Sequence, residues 1–434
     1  MGDDEERRRL RGEVDGLRDE VAGLRERAAE RRRAPRAPGR PRAPQRSLTP
    51  PRPLARRRLL AAAVVAGGTA TALLALGDSD GSADPGGPAD PGAPSRDAPG
   101  ARPETPPPPR GFPERPTLRA LGPLPGHGNR LAGLWFSPAA RTLAVSEADT
   151  GRLRLWDVAT RQPLGEPLTS AHVAFLTVAF NGDGTALATG GGDRAELWRV
   201  PSLEAVGEPL TRREHAVDAF EAVAFSPDGT VLAAGGPAVT HGQDIAEVRL
   251  YDVASRAPLG PPLTGHGGGV ERLAFSPDGA ALAVGGSFEG DGVVRVWDVA
   301  ARTPVGERLT GHQGGVGELA FSPDGAALAV SAFVGDGVVR FWDTTNGRQR
   351  GEPLIAHSGG VRAMAYSGDG TGLVTLGTRG DRGLRFWDTE THQERSRPIA
   401  VEHYFNASAL SADGLTLATH EDETVRLWRI EQGE

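Results

Sequence analysis

The sequence predicts an all-β fold, a ring of seven four-stranded blades, and three observations carry the prediction. The first is a turn phrase that comes round seven times: Phe136-Ser137-Pro138, Phe180-Asn181-Gly182-Asp183-Gly184, Phe225-Ser226-Pro227-Asp228-Gly229, Phe275-Ser276-Pro277-Asp278-Gly279, Phe321-Ser322-Pro323-Asp324-Gly325, Tyr366-Ser367-Gly368-Asp369-Gly370 and Leu410-Ser411-Ala412-Asp413-Gly414. The second is its period of roughly 45 residues, the length of four short strands with their turns. The third is an aromatic-Asp step at a fixed phase, as Trp156-Asp157, Tyr251-Asp252, Trp297-Asp298, Trp342-Asp343 and Trp387-Asp388, with Trp198-Arg199 and Trp428-Arg429 lacking the Asp. Pro-Asp-Gly is turn chemistry, and short apolar runs between such turns read as strands.

Four segments precede the repeats. Residues 1–33 read as a helix: Leu10, Val14, Leu17, Val21, Leu24 and Ala28 form a heptad seam. Val at a and Leu at d favours a parallel two-stranded coiled coil, while Gly12, Gly16 and Gly23 weaken the helix. A homodimer through this helix and a solvated single helix both fit. Residues 34–58 are Arg/Pro-rich and expected to be disordered; from Arg31 to Arg58 there are eleven Arg and no acid. Residues 59–77 carry no charge and as a helix would span about 28 Å, close to the hydrocarbon thickness of a bilayer. Arg56, Arg57 and Arg58 stand before this stretch, Asp78 and Asp80 after it. A single-pass transmembrane helix is therefore expected, with a cytoplasmic N-terminus and the repeats outside the cell. The rival is a cleaved export signal, since Arg56-Arg57-Arg58-Leu59-Leu60 resembles a twin-arginine start. The long extension ahead of it favours a retained anchor. Residues 78–115 form a Pro/Gly-rich linker, and residues 116–434 hold the repeats.

Composition removes several chemistries. There is no Cys, which excludes disulfides, thiol nucleophiles and Cys-based zinc sites. There is no Lys; all 49 basic residues other than His are Arg, so P-loop, Schiff-base and Ser-Lys chemistry are absent. Arg in place of Lys, with abundant Ala, Gly and Pro, is expected of a GC-rich bacterial genome, an actinobacterium being the nearest guess. The net charge is −7 although residues 1–58 carry 18 Arg against 10 acids, so the repeat region is acidic. An acidic repeat region argues against a nucleic-acid partner.

Seven of the ten histidines, His127, His172, His215, His266, His312, His357 and His403, share one repeat position. Together with Trp-Asp at this period, they make residues 116–434 resemble the WD-repeat (WD40) β-propeller family. The resemblance implies a hydrogen-bonded structural tetrad in each blade: His357, Thr375, Asp381 and Trp387 in blade six, and His403, Thr419, Asp422 and Trp428 in blade seven. Asp291 and Asp336 keep the turn Asp of blades four and five, but Val284 and Val330 stand where the hydroxyl belongs. Because Pro123-Leu124-Pro125-Gly126-His127 matches Pro262-Leu263-Thr264-Gly265-His266, the segment from Thr117 to Pro125 is expected to complete the last blade.

His, a hydroxyl and Asp in one blade also spell a hydrolase triad. Their recurrence at equivalent positions favours the framework reading, and no catalytic residue, cofactor or metal site is assigned. The Arg residues two before each blade aromatic (Arg154, Arg249, Arg295, Arg340, Arg385, Arg426) read as framework too. Partner binding is expected from the loops that vary and from the starts of the inner strands. The candidates are Phe288, Phe333, Tyr404, Phe405, Phe175, Arg272 and Arg362, with core packing the alternative for each aromatic. The resemblance implies a non-catalytic platform for a protein or peptide partner. The expectation is thus a membrane-anchored extracytoplasmic binding, sensing or scaffold module. The alternatives are an extracytoplasmic propeller enzyme, or a cytoplasmic signalling scaffold if residues 59–77 do not span.

Overall fold

The structure, a computed structural model, describes residues 111–433 apart from 129, 170–174, 212–219, 241–242, 267–268, 289–290, 333–334, 336, 379–380, 382, 402–406 and 422, and apart from the side chains of 237–240, 243–245, 288 and 291. The helix expected over 1–33, the Arg/Pro segment 34–58, the span expected over 59–77 and the linker up to 110 lie outside the described residues. Among the described residues no helix is long and apolar enough to cross a membrane.

Among the described residues twenty-eight strands make seven antiparallel sheets of four. In blade six the strands run Val361–Tyr366, Gly372–Gly377, Gly383–Asp388 and Ile399–Ala400, in that order across the sheet. The first strand of each blade meets the first strands of its two neighbours, and that of blade one meets that of blade seven, so the first strands line the axis of a closed ring. Blade seven supplies only three strands from its own repeat, Ala407–Leu410, Thr416–Glu421 and Thr424–Gln432. Its fourth is Pro116–Leu124 from the opposite end of the domain, antiparallel to Thr424–Gln432 with Pro116 opposite Gln432 and Leu124 opposite Val425. Two distant stretches of chain thus share one sheet, and an edge that would lack a strand is covered.

The turn phrase explains why each first strand folds back. In blade four the Ser276 hydroxyl donates to Asp278 Oδ1 at 2.6 Å and accepts the Ala281 N–H at 2.8 Å, while the Gly279 N–H donates to the Ser276 carbonyl. Gly279 sits at φ +72, where a side chain is disfavoured. The Ser276 hydroxyl and the Ala280 N–H hold the Asp278 carboxyl below its ordinary range, against a smaller upward push from burial. Where an Asp follows the blade aromatic it caps the next turn: Asp157 accepts the Thr160 N–H at 2.6 Å and Asp298 the Ala301 N–H at 2.7 Å. The conspicuous sequence signals are therefore local turn chemistry.

Packing runs between blades. Phe225, Leu232 and Tyr251 of blade three share a buried cluster with Ala179, Ala188 and Leu197 of blade two. Small first-strand alanines admit the neighbour's large side chains near the axis, where space is least. A second seam links the Ser-Pro-Asp-Gly turns. The glycines Gly279, Gly325 and Gly370 lie against Pro227, Pro277 and Pro323 of the preceding blades. Blade six has Gly368 where those prolines stand, and there Phe112 fills the gap. Phe112 is buried, its ring edge-on to Phe386 at 5.4 Å, and it leaves no room for a side chain at Gly372 or Gly414.

The stretch from Gly235 to Ala246 is not a long loop; blade three extends its second and third strands, Val231–Thr240 and Gln243–Asp252, into a continuous hairpin. Val and Thr along these segments suit strand better than coil, and this outweighs Pro237 and the glycines.

Candidate functional site

Blade six shows how the repeated polar groups are used. Trp387 donates its indole N–H to Thr375 Oγ1 at 2.9 Å, and His357 Nε2 lies 2.9 Å from the same oxygen. Nδ1 faces Asp381 Oδ2 at 3.4 Å, and since a carboxylate only accepts, the ring proton sits on Nδ1 and Nε2 accepts the Thr375 hydroxyl proton. Asp381 also accepts from the Ser358 N–H and from Arg385, each at 3.3 Å. Burial lowers the His357 pKa to about 4, outweighing the upward pull of Asp381. Burial pushes the Asp381 carboxyl up, but His357, the Ser358 N–H and Arg385 together hold it below its ordinary range. The imidazole is neutral and the Thr375 hydroxyl is fully buried, spent on two framework bonds. A nucleophile needs access to a substrate, and this oxygen has none.

In blade seven Trp428 donates to Thr419 Oγ1 at 3.0 Å; His403 and Asp422 lie outside the described residues. Blade two contains a pair the sequence reading missed, with Trp198 donating to Thr189 Oγ1 at 3.0 Å. The signal was available, because Thr189 precedes Trp198 by nine residues, as Thr419 precedes Trp428. In blades one, four and five the position holds Val145, Val284 and Val330, and the indole N–H groups of Trp156, Trp297 and Trp342 are buried with no partner among the described residues. Their histidines, His127, His266 and His312, pack on those indoles at ring distances of 5.3, 5.5 and 6.0 Å. Burial lowers their pKa values to about 4, about 4 and about 3. The regular arginines prove to be braces: Arg154 donates to the Gly126 carbonyl at 3.0 Å and Arg295 to that of Gly265 at 3.4 Å.

Two binding candidates are corrected. Phe175 is core, packed with Trp135, Phe180 and Leu187, and its carbonyl accepts the Ser146 hydroxyl at 2.8 Å. Arg272 is buried too; its guanidinium donates to the Glu271 carbonyl at 3.0 Å and lies 3.9 Å from the buried Glu318 carboxylate. Both residues were expected to be accessible from their place at strand starts, but the neighbouring blade covers them. Arg362 is half-buried. Phe333, Tyr404, Phe405 and the Phe288 side chain lie outside the described residues.

The structure points instead to one position, four residues before the first-strand aromatic. In blades two, three and four the backbone there is the same: the N–H groups of Leu176, Glu221 and Glu271 donate to the carbonyls of Gly190, Gly235 and Gly285 at 2.8–2.9 Å. The side chain is not constant. Leu176 is 39% exposed, Glu221 is exposed, and Glu271 accepts the Ser287 hydroxyl at 2.7 Å; Arg362 holds this place in blade six. Among the described residues no three His, Cys, Asp or Glu side chains converge as a metal site.

The fold is a seven-bladed β-propeller with WD40 repeats among its blades. The family model for the WD domain, G-beta repeat, matches residues 259–298, 303–343 and 349–388. Each match takes in the fourth strand of one blade and the first three of the next, the same offset that leaves blade seven to be finished by Pro116–Leu124. No curated protein matches the chain.

Proposed function

We propose that this protein is a non-catalytic binding or scaffold module that recognises a protein or peptide partner at the channel mouth formed by the starts of the first strands. WD40 propellers typically mediate protein interactions. The observation that carries the reading is the contrast between a backbone bond repeated in blades two to four and the different side chains, leucine and glutamate, that it presents. Variation at a fixed, accessible point of a rigid frame suits recognition, and the groups that could mimic a triad are buried in framework bonds.

The propeller is displayed outside the cell by residues 59–77 as a single-pass anchor, with the N-terminus cytoplasmic. The opposed charges flanking that stretch support this placement. The seam over residues 1–33 supports a homodimer, and the Arg-for-Lys composition supports a bacterial source. The test is capture of crosslinked partners by the full chain in intact membranes. Leu176→Ala and Glu221→Arg are expected to reduce capture without lowering the melting temperature. Unchanged capture by both variants would refute the channel-mouth reading. Protease added to spheroplasts is expected to remove the propeller, and full protection would refute the orientation.

A further inference from the structure

A second surface lies on the outer rim, away from the channel. The fourth strand of blade five, Gln349–Ile355, is the last in its sheet, so one edge of its backbone has no strand beside it. The residue that ends this strand is an outlier among the repeats. Thr169, Thr211, Thr264 and Thr310 hold the equivalent place in blades one to four, all exposed, whereas blade five has Ile355. Ile355 is 76% exposed, the most exposed large apolar side chain among the described residues. Blades one to four put a polar group where water reaches the edge, and blades six and seven the small Ala400 and Pro125; blade five presents a large branched apolar side chain there.

Ile355 does not stand on a convex surface. It lines a cleft of about 770 Å³ between this strand and the following turn of blade six, together with Arg350, Glu352, Trp387, Glu390 and His392. The walls are fixed by tertiary contacts: His392 stacks on Phe341 at 4.6 Å, and its Nδ1 lies 2.9 Å from the Glu352 carbonyl. The cation of Arg350 is already matched, 2.9 Å from Asp343. Glu352 and Glu390 are exposed and have no ion-pair partner among the described residues, so the cleft carries uncompensated negative charge beside an apolar wall.

We infer that this cleft takes an extended, cationic peptide segment of a partner protein, which lies along the outer edge of Gln349–Ile355, sets an apolar side chain against Ile355 and directs an Arg or Lys to Glu352 and Glu390. His392 takes the Glu352 carbonyl, Pro353 has no N–H and the register shifts between Arg350 and Leu354, so main-chain pairing is confined to part of the edge, and the Ile355 wall and the two carboxylates supply the choice. The inference rests on the propeller being a peptide-binding module but not on the channel mouth being its recognition surface.

The test uses the full chain and three fluorescein-labelled, end-capped hexapeptides, alternating valine with arginine, valine with glutamate, and serine with arginine. Binding is read by anisotropy. The valine–arginine peptide is expected to bind best. Ile355→Thr, which installs the residue of blades one to four and so preserves the fold, is expected to weaken it at least tenfold. Glu352→Arg is expected to weaken it as much, with melting temperatures unchanged. Leu176→Ala is expected to have no effect on this peptide, which separates the two surfaces. Equal binding of the valine–glutamate peptide, no binding of any peptide, or indifference to both cleft substitutions would overturn the inference while leaving the channel-mouth reading standing. If Ile355→Thr changes only the oligomeric state, a second copy of the chain is the occupant and the peptide assignment falls.

Discussion

Replacing Val330 by Thr is expected to stabilise the protein, against the usual effect of placing a hydroxyl in a core. Val330 is fully buried and sits opposite Arg340, as Thr375 sits opposite Arg385 in blade six. Around it, the Trp342 indole N–H and both His312 ring nitrogens are buried and unpaired. In blade six one Thr oxygen satisfies both neighbours at 2.9 Å. A buried hydroxyl without partners costs about 1–3 kcal/mol, whereas each hydrogen bond made is worth about 0.5–1.5 kcal/mol net. With the valine volume nearly conserved and two bonds formed, Val330→Thr is expected to gain about 1–2 kcal/mol. Unfolding entropy of about 2.1 cal/mol/K per residue makes this a rise of about 1.5–3 °C for a domain of this size. Thermal melts by circular dichroism measure it, and slowed exchange of the Trp342 indole proton identifies its cause. The reciprocal Thr375→Val is expected to cost about 1–3 kcal/mol, since Trp387 and His357 lose their shared partner. A fall in melting temperature for Val330→Thr would refute the reasoning.

Acid is expected to destabilise the propeller ahead of its carboxylates. His127, His266 and His357, at about 4, and His312, at about 3, lie below the ordinary 6.5, so the unfolded chain binds protons that the folded one refuses. Stability is therefore full above about pH 6.5 and falls as pH drops toward 4, where the turn carboxylates extend the loss. Urea midpoints at pH 7, 5.5 and 4.5 are expected to descend, and a flat series would count against it. Phe112→Ala is expected to cost about 3–5 kcal/mol, the range for a buried Phe, although Phe112 precedes the first strand. A melting temperature equal to that of wild type would show that the segment is not docked.

Blade number was legible because the turn phrase is local chemistry: Ser, Asp and Gly bond within five residues of one another, so spacing alone reveals them. The blade-six tetrad was legible for a similar reason, its members falling within one repeat. Thr189 was missed because Gly192 stands six residues before Trp198, where Asp381 precedes Trp387 and Asp422 precedes Trp428, so blade two does not read as a complete tetrad. Phe175 and Arg272 were misjudged because burial at a strand start is decided by the adjacent blade, which one repeat read alone does not show. Phe112 is the extreme case. It packs on Phe386, more than 250 residues along the chain, and its only trace in the sequence is Gly368 where a proline is expected.

The strand that completes blade seven also sets how the ring carries load. Pro116 lies at the Ser-Pro-Asp-Gly end of the blade, and the strand runs from there to the channel-mouth end. If the chain is held through the residues before Phe112 and a partner pulls at the mouth, tension runs along the strand. The interstrand hydrogen bonds lie across that direction. They are strained together, in shear, over the eight register pairs from Pro116–Gln432 to Leu124–Val425, rather than opened one after another. Phe112, wedged between blades six and seven, meets the force before the first pair does. A propeller strung this way resists tugging along its tether far better than peeling from its rim.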